Sequence, residues 1–376
     1  MNDINNSSSV GGRIRTILAV TSLIVPLLIG RGDAAEPQPS VESPTISVFA
    51  TGLNNPRGIK FGPDGNLYVA EGGAGGTNST VGQCDQVVPP VGPYAGSQIG
   101  GRISKIDANG LRTTIVDDLP SSQTAPTLGS LVSGVADIAF IGDKLYAVLA
   151  GAGCSHGVRN IPNGVVRVNT DGTWNLIADL SAFQKANPVK NPEPDDFEPD
   201  GTWYSMIAVR GDLYAVEPNH GELVKITPEG KISRVVDISA SQGHIVPTSL
   251  AYQGNFYVGN LNTFPIEEGS SKIYRITPSG RIEIVAEGLT TVVGVAFDRR
   301  RRLYALENTT GNSFPTPGTG RVLRVHRSGA LEVVASDLTL PTAMTFGPDG
   351  NLYVTNFGFG PPITGLGQVL KIELAH

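Results

Sequence analysis

The chain has 376 residues, of which 47 are glycine, 27 are proline and two are cysteine, and its formal net charge is −6. Charged residues make up 16 % of the chain, below the share of about 25 % that is usual in soluble domains. The acidic balance argues against a protein that binds nucleic acid through a basic field. The glycine and proline content indicates many turns, but it is too low and too unperiodic for a collagen-like or low-complexity chain.

The first 35 residues show the order of features that is typical of a secretory signal peptide. Arg13 and Arg15 supply positive charge, residues 16–29 are mainly apolar, and small residues suited to cleavage end at Ala35. An apolar core of about 14 residues is too short to span a bilayer. We therefore predict an exported protein, periplasmic or extracellular. Residues 36–45 are predicted to be an extended lead-in, and no membrane span is expected after cleavage.

The two cysteines, Cys84 and Cys154, become interpretable once export is predicted. In an oxidising compartment a pair of cysteines is most simply explained by a single disulfide. Such a bond would close a loop of about 70 residues and stabilise the fold by on the order of 4 kcal/mol through chain entropy. Two free thiols, or a metal-binding pair, are the alternatives.

A short pattern recurs six times along the chain, in which two apolar strand-like segments are joined by a tight turn. The first copy occupies residues 58–69 and the last occupies residues 344–354. The second segment of every copy carries a marker tyrosine, and these are Tyr68, Tyr146, Tyr214, Tyr257, Tyr304 and Tyr353. A second pair of strand-like segments follows each of the first five copies, so each unit consists of four short strands.

A unit of four short strands that repeats every 47 residues or so is typical of a β-propeller blade. The sixth unit lacks its fourth strand, and residues 46–50 match the missing segment. We therefore predict an all-β fold over residues 46–376, a six-bladed β-propeller of four-stranded blades. The ring is predicted to close by pairing of the N-terminal strand with the last blade, which removes exposed sheet edges.

The insertions between strands all fall on one side of this predicted propeller. We call it the loop-rich face, and it carries the long connections over residues 72–101, 151–163 and 181–202. The opposite, short-hairpin face carries minimal turns, including the basic turn at residues 299–302, which is predicted to be simply solvated. Long loops on a rigid scaffold usually carry function, so the loop-rich face is the predicted functional face.

Histidines and carboxylates on the loop-rich face are candidate metal ligands. The histidines are His156, His220 and His244, and the carboxylates of a nearby acidic insertion are Asp195, Asp196, Glu198 and Asp200. Imidazoles that converge on one face could hold Zn²⁺ with an open position, whereas several carboxylate oxygens suit Ca²⁺. The spacing of these residues matches no zinc-finger or EF-hand pattern. The alternative to a metal site is that the histidines are ordinary turn residues and the acidic insertion is a solvated loop. The cofactor is therefore unknown, with Ca²⁺ or Zn²⁺ as the candidate divalent ions.

A ring of polar residues is predicted at the same face, three positions after five of the marker tyrosines. Its members are Glu71, Glu217, Asn260, Glu307 and Asn356. They are expected to cap the loops that follow them by binding backbone N–H groups, with ligand contact as the alternative. Asp137 is a further candidate, because it is the one acidic residue where an innermost strand begins.

The repeats resemble NHL-type propellers and, more closely, the ScyD/ScyE family of secreted bacterial propellers. The resemblance covers essentially all of the mature chain and depends on residues 55–71, 151–157, 192–205 and 217–221. It implies export and a propeller, in a family named from gene clusters for the sunscreen pigment scytonemin. A role in secondary metabolism outside the cytoplasm would fit that resemblance, but no catalytic residue transfers from it.

These observations predict an exported propeller that binds a small molecule or a protein partner through its loop-rich face. A purely structural envelope protein is a third interpretation, and the main alternative is a metal-dependent hydrolase or lyase of the NHL or gluconolactonase-like type. In that case His156, His220 and His244 would bind the metal, and a carboxylate from residues 195–200 would act as the base. No nucleophile elbow or phosphate-binding loop is present in the sequence, so catalytic residues stay unassigned.

Overall fold

The computed structural model describes residues 44–194 and 197–374. The chain enters the fold with β1 (Thr45–Leu53). Blade 1 follows with β2 (Pro56–Phe61), β3 (Leu67–Glu71), β4 (Ala95–Ile106), β5 (Arg112–Gln123) and the two-residue β6 (Val132–Ser133). Blade 2 contains β7 (Val135–Ile141), β8 (Lys144–Leu149), β9 (Gly164–Val168) and β10 (Trp174–Asp179). Blade 3 contains β11 (Ser205–Val209), β12 (Asp212–Glu217), β13 (Glu222–Ile226) and β14 (Ile232–Asp237).

The second half of the ring repeats this order. Blade 4 contains β15 (Pro247–Tyr252), β16 (Phe256–Asn260), β17 (Ser271–Ile276) and β18 (Ile282–Leu289). Blade 5 contains β19 (Val292–Phe297), β20 (Leu303–Glu307), β21 (Gly320–Val325) and β22 (Leu331–Leu338). Blade 6 contains β23 (Ala343–Phe346), β24 (Leu352–Asn356) and β25 (Gly367–Glu373), and β1 is its fourth strand.

The predicted six-bladed propeller is confirmed, and so is its closure. Every blade is an antiparallel sheet, and the first strands of successive blades contact one another in a closed ring. In blade 6 the strand order is β1-β25-β24-β23, with Thr45 opposite Glu373 and Leu53 opposite Gly367. The N-terminal strand therefore covers the edge that the last blade would otherwise expose.

Marker tyrosines pack between neighbouring blades, which explains why they recur. The ring of Tyr68 meets Phe140 of blade 2 edge-on, with centroids 5.0 Å apart. The same arrangement joins blade 6 to blade 1, where the rings of Tyr353 and Phe61 are 5.1 Å apart. Edge-to-face pairs of this kind contribute roughly 0.5–1.5 kcal/mol beyond the area that they bury.

Three segments predicted as loops contain regular structure. β4 and β5 continue beyond the blade as a two-stranded arm in which Ala95 pairs with Gln123, and β6 adds a fifth strand to this sheet. The connection predicted over residues 181–202 overlaps the short helix α1 (Leu180–Ala186), and the connection after blade 3, residues 239–246, which is also predicted to be a loop, begins with α2 (Ser239–Gln242). The Asp179 carboxylate accepts a hydrogen bond from Ala182 N at 2.8 Å and caps α1, which is a local signal in the sequence.

The predicted disulfide between Cys84 and Cys154 is present. It joins the long loop of blade 1 to the short 3₁₀ turn of blade 2 on the loop-rich face.

The predicted signal peptide at residues 1–35 lies outside the described residues, as do residues 36–43 of the lead-in and Asp195 and Asp196. Among the residues described, no helix has the length and apolar character needed to cross a membrane.

Candidate functional site

Polar side chains from blades 1, 2 and 3 meet at the central channel, where the innermost strands begin. Arg57 and Lys60 come from β2, Asp137 comes from β7, and Tyr204 directly precedes β11. Gly58 makes this approach possible, because a Cβ atom there would lie 1.9 Å from Asp137 Oδ1. The absence of a side chain at Gly58 thus makes room for the carboxylate of the next blade.

Asp137 is buried and fully surrounded by hydrogen-bond donors. Lys60 Nζ lies 3.1 and 3.2 Å from its two oxygens. Ser205 Oγ and Met206 N donate to Oδ2 at 3.0 and 2.9 Å. An ammonium group and three further donors, including Ile138 N, occupy the positions that metal ligands or a cation would need. The donor set at Asp137 therefore does not fit a divalent cation.

Tyr204 spans the channel and divides it. Its hydroxyl donates a hydrogen bond to the Thr342 carbonyl of blade 6, on the opposite side of the ring, at 3.2 Å. Burial raises the pKa of Tyr204 to about 12, although the neighbouring Arg57 opposes this shift. The ring lines two cavities of about 40 and 30 Å³, each with room for one or two water molecules.

Arg57 lies on the loop-rich side of Tyr204, at the mouth of the channel. Its guanidinium donates to the Val132 carbonyl and lies 5.8 Å from the centroid of the Phe359 ring. Burial lowers the pKa of this guanidinium. Within residues 44–194 and 197–374, no carboxylate lies within ion-pair distance of it. Arg57 therefore forms no ion pair with a carboxylate of the described residues, and its polar neighbours are the Val132 carbonyl and the Tyr204 hydroxyl.

Trp203 adds an unsatisfied donor to the mouth of the channel. Its side chain is 1 % exposed and lines the same 40 Å³ cavity as Arg57 and Tyr204. The indole Nε1–H has no hydrogen-bond partner in the described part of the chain. Because a buried donor without a partner is costly, this N–H group is suited to donate to a hydrogen-bond acceptor on a bound ligand.

The acidic insertion folds onto the loop-rich face and is held there by two of the predicted metal-ligand histidines. His156 Nε2 lies 2.9 Å from Glu198 Oε2, and His220 Nε2 lies 3.0 Å from the Glu198 carbonyl oxygen. The Tyr94 hydroxyl donates to Glu198 Oε1 at 2.9 Å. His156 and Glu198 are both buried, so this network attaches the insertion to blades 1, 2 and 3.

Asp200 anchors the end of the same insertion. Burial raises the pKa of this carboxyl, but hydrogen bonds from Lys185 and Ser155 outweigh that effect and leave the pKa lowered.

His244 lies apart from the other two histidines, with its Nδ1 3.5 Å from Glu193 Oε2. In the described ranges, no three His, Cys, Asp or Glu side chains form a group that could hold a metal ion. The Zn²⁺ and Ca²⁺ sites stay predictions.

The predicted ring residues are all buried and bind loop backbone. Glu71 Oε2 accepts from Asn54 N at 2.6 Å, and Glu307 Oε1 accepts from Thr290 N at 2.7 Å. Glu217 and Asn356 accept from Thr202 N and Thr339 N in the same way, whereas Asn260 Nδ2 donates to the Ile245 carbonyl. The bonded loop precedes the innermost strand of the same blade, whereas the sequence suggested the loop that follows the ring residue. Glu217 contacts both loops, since it also accepts a hydrogen bond from His220 N.

Comparison with known proteins identifies the fold. No protein-family model matches the chain, and none of the curated proteins matches its sequence. Among solved structures, a gluconolactonase from Xanthomonas campestris matches with a TM-score of 0.54 and 10 % identity, over 89 % of this chain and 91 % of that chain. The PQQ-bound aldose sugar dehydrogenase from Streptomyces coelicolor matches with a TM-score of 0.54 and 14 % identity, over 88 % and 98 %.

A glucose dehydrogenase matches equally well, with a TM-score of 0.54 and 16 % identity over 89 % of this chain and 100 % of that chain. The structural neighbours thus include gluconolactonase-type and sugar-dehydrogenase propellers. Identities this low establish a shared fold and carry no activity from one protein to another.

Sequence reasoning singled out Asp137 but missed the residues around it. Arg57 and Tyr204 stand directly before or at the start of an innermost strand, in the segments 55–58 and 203–205. That position was the available signal, because every innermost strand of a propeller begins beside the axis. Which side chains from different blades would face one another could not be read from the repeats alone.

Proposed function

We propose that this protein is an exported β-propeller that binds a small carboxylate-bearing molecule at the channel mouth on its loop-rich face. The observation that carries the proposal is the Arg57 guanidinium, which has no carboxylate partner among the described residues. Burying an unpaired charge is costly, and a bound anion would offset part of that cost.

The donors around Arg57 suit a carboxylate in particular. A guanidinium presents a planar fork of N–H groups that matches the two oxygens of a carboxylate. The Trp203 indole N–H supplies a further donor to the same cavity. Because this cavity holds only about 40 Å³, the carboxylate would enter it while the rest of the ligand lies among the surrounding loops.

Export is part of the proposal. Its support is the signal-peptide pattern of residues 1–35 and the Cys84–Cys154 disulfide, a bond that persists in oxidising compartments. The resemblance to the secreted ScyD/ScyE family agrees with this location. The hydrolase or lyase alternative stays a prediction, and the carboxylate site at Arg57 does not depend on it.

Trp203 provides a direct way to test binding. The chain contains two tryptophans, and Trp174 lies at the opposite face, where its indole donates to Asp118 Oδ1 at 3.0 Å. In a Trp174→Phe background, fluorescence therefore reports on the channel mouth alone. We expect a saturable change with benzoate or gluconate and none with benzamide or sorbitol, which match them in size but lack the charge.

Replacement of Arg57 tests the residue that carries the proposal. Arg57→Met should weaken carboxylate binding by at least about tenfold, since a charge-assisted pair is lost. Arg57→Lys, which keeps the charge but loses the fork, should be intermediate. The melting temperature of Arg57→Met should stay unchanged or rise, because an apolar side chain replaces a partly buried charge that has no carboxylate partner.

Arg167→Met is the matched control, since Arg167 is a partly buried arginine of β9 in blade 2, away from the channel mouth. It should bind the carboxylate as the parent does. The proposal fails if no carboxylate changes Trp203 fluorescence, or if Arg57→Met binds as tightly as the control variant.

A further inference from the structure

A second cavity lies on the short-hairpin face, in the groove between blades 4 and 5. One wall is formed by the β15–β16 turn and by β17 and β18, and the other by the β19–β20 and β21–β22 turns. Its volume is about 840 Å³, far larger than the two channel cavities. Sites for small molecules typically measure roughly 300–1,000 Å³, so the groove is large enough for such a ligand.

The lining of this groove is strongly basic. It contains one histidine and six arginines, and no aspartate or glutamate. The basic residues are Arg275, Arg300, Arg301, Arg302, Arg324, His326 and Arg327. The turn at residues 299–302, predicted from the sequence to be simply solvated, therefore forms part of a concave wall. This concentration of positive charge stands out in a chain whose net charge is −6.

Half of the arginines pair with carboxylates that are not themselves part of the lining. Glu283 pairs with Arg275, Asp298 with Arg302, and Glu332 with both Arg324 and His326. These pairs fix the orientation of the guanidinium groups that they hold. They leave the remaining arginines to determine the charge of the open groove.

Arg300 and Arg327 are exposed, and in the described part of the chain neither has a hydrogen-bond or ion-pair partner. Arg301 faces the uncharged Gln253 amide. Arg324 contributes an unsatisfied donor as well, since its buried Nε has no partner among the described residues. The groove therefore combines uncompensated positive charge with donors that lack acceptors.

Apolar side chains line the same space. Tyr257 of blade 4 and Phe297 of blade 5 form an edge-to-face pair with centroids 4.8 Å apart. Val285, Leu303 and Val325 complete the apolar lining. A ligand that matches this surface needs an apolar or ring-shaped body as well as negative charges.

We propose that the groove between blades 4 and 5 is a binding site for a small polyanion, a ring-bearing molecule with two or more carboxylate or phosphate groups. Arginine forks recognise both groups, because each presents paired oxygens. This site is on the opposite face from Arg57 and is independent of the function proposed above.

Calorimetric titration with two probes tests the proposal and distinguishes the sources of negative charge. Trigalacturonate carries carboxylates on sugar rings, and inositol hexakisphosphate carries phosphates on a cyclohexane ring. At about 0.15 M salt, where long-range attraction is screened, we expect at least one probe to bind. Binding of trigalacturonate alone would assign an acidic sugar, and binding of inositol hexakisphosphate alone would assign a phosphate ligand.

The variant Arg300→Ala/Arg327→Ala removes the two unpaired guanidinium groups. It should weaken binding by at least about tenfold, since charge-assisted hydrogen bonds are lost. The control Lys144→Ala/Lys231→Ala removes the same charge from exposed turns of blades 2 and 3 on the same face. It should change the affinity less than about twofold, and both variants should melt like the parent because all four side chains are exposed.

The proposal is overturned if neither probe binds below about 1 mM. It is also overturned if the two double variants lose affinity equally, because that result would indicate attraction to the whole face. Arg57→Met should leave polyanion binding unchanged, so failure of the channel site and failure of this site can be told apart.

Discussion

At the scale of single residues, Glu217 illustrates how burial changes the chemistry of a loop-capping side chain. It is 0 % exposed, and Oε1 accepts a hydrogen bond from Thr202 N at 2.8 Å. Burial raises the pKa of Glu217 to about 7, opposed by His220 and by the backbone hydrogen bonds, while Glu222 adds to the rise. Between pH 4.5 and about 7 the folded protein therefore binds more protons at this site than the unfolded chain does.

This imbalance predicts that folding stability falls as the pH rises through that window, by on the order of 3 kcal/mol from this one group. Glu217→Gln cannot ionise and should lose this part of the decline. Urea unfolding at several pH values between 4.5 and 8 measures the difference. Asp107→Asn is the control. A hydrogen bond from Leu111 N lowers the pKa of that exposed carboxyl, so its removal should leave the decline between pH 4.5 and 8 unchanged. An undiminished decline in Glu217→Gln would contradict the prediction.

Residues at the loop-rich face divide by what their polar atoms contact. Glu71 and Glu307 bind loop backbone, and His156 binds the acidic insertion, so these groups hold the loops in place. Arg57 and Trp203 differ, since no described carboxylate pairs with the Arg57 guanidinium and no described residue accepts a hydrogen bond from the Trp203 indole. Missing partners, rather than residue type, therefore locate the candidate site.

At the scale of elements, the blades are held together by side chains that cross from one sheet to the next. Tyr304 of β20 is 1 % exposed, and its ring packs edge-on against Phe346 of β23 with centroids 5.1 Å apart. Phe346 belongs to the following blade, so this pair stabilises the interface between blades 5 and 6. The hydroxyl group is secondary to the packing of the ring.

Tyr304→Ala should therefore lower the free energy of unfolding by about 3–5 kcal/mol, because a large buried ring is lost and a cavity remains. Tyr304→Phe keeps the ring and should cost less than about 1.5 kcal/mol. Chemical denaturation of the two variants measures both effects. Similar losses in the two variants would show that the hydroxyl group, and not the packed ring, stabilises the interface.

At the scale of the whole molecule, β1 determines whether the propeller closes. It forms the outer strand of blade 6, and Leu53 packs in the same core as Ile59 of blade 1 and Val369 of blade 6. Without β1, β25 would present unpaired backbone groups along its full length. Open edges of this kind recruit other chains.

A chain that begins at residue 54 should therefore self-associate and melt at a lower temperature than one that begins at residue 44. Size-exclusion chromatography with light scattering, together with thermal melting, compares the two. The longer chain is the control, because it retains all of β1. A shorter chain that stays monomeric and melts at the same temperature would show that closure by β1 does not stabilise the ring.

The sequence by itself determined the architecture, because its signals are local. Alternating apolar residues, tight turns and a tyrosine at each repeat act within one blade or between adjacent blades, so the six units and their closure could be predicted. The cysteine pair was equally visible and its disulfide is present, whereas the signal-peptide pattern of residues 1–35 stays a prediction. The continuation of β4 and β5 was not, since Ala95 pairs with Gln123 in segments rich in turn residues that indicate loops.

Only the tertiary structure decided which distant side chains meet. Tyr204 of blade 3 shares one cavity with Arg57 of blade 1 and another with Asp137 of blade 2, because ring closure brings the innermost strands around one axis. The basic groove likewise needs blade 4 beside the two basic turns of blade 5, although each of those turns alone looks like a solvated charge cluster. Whether a charge is paired depends on neighbours that are remote in sequence, and this is why the two candidate sites became visible only in the fold.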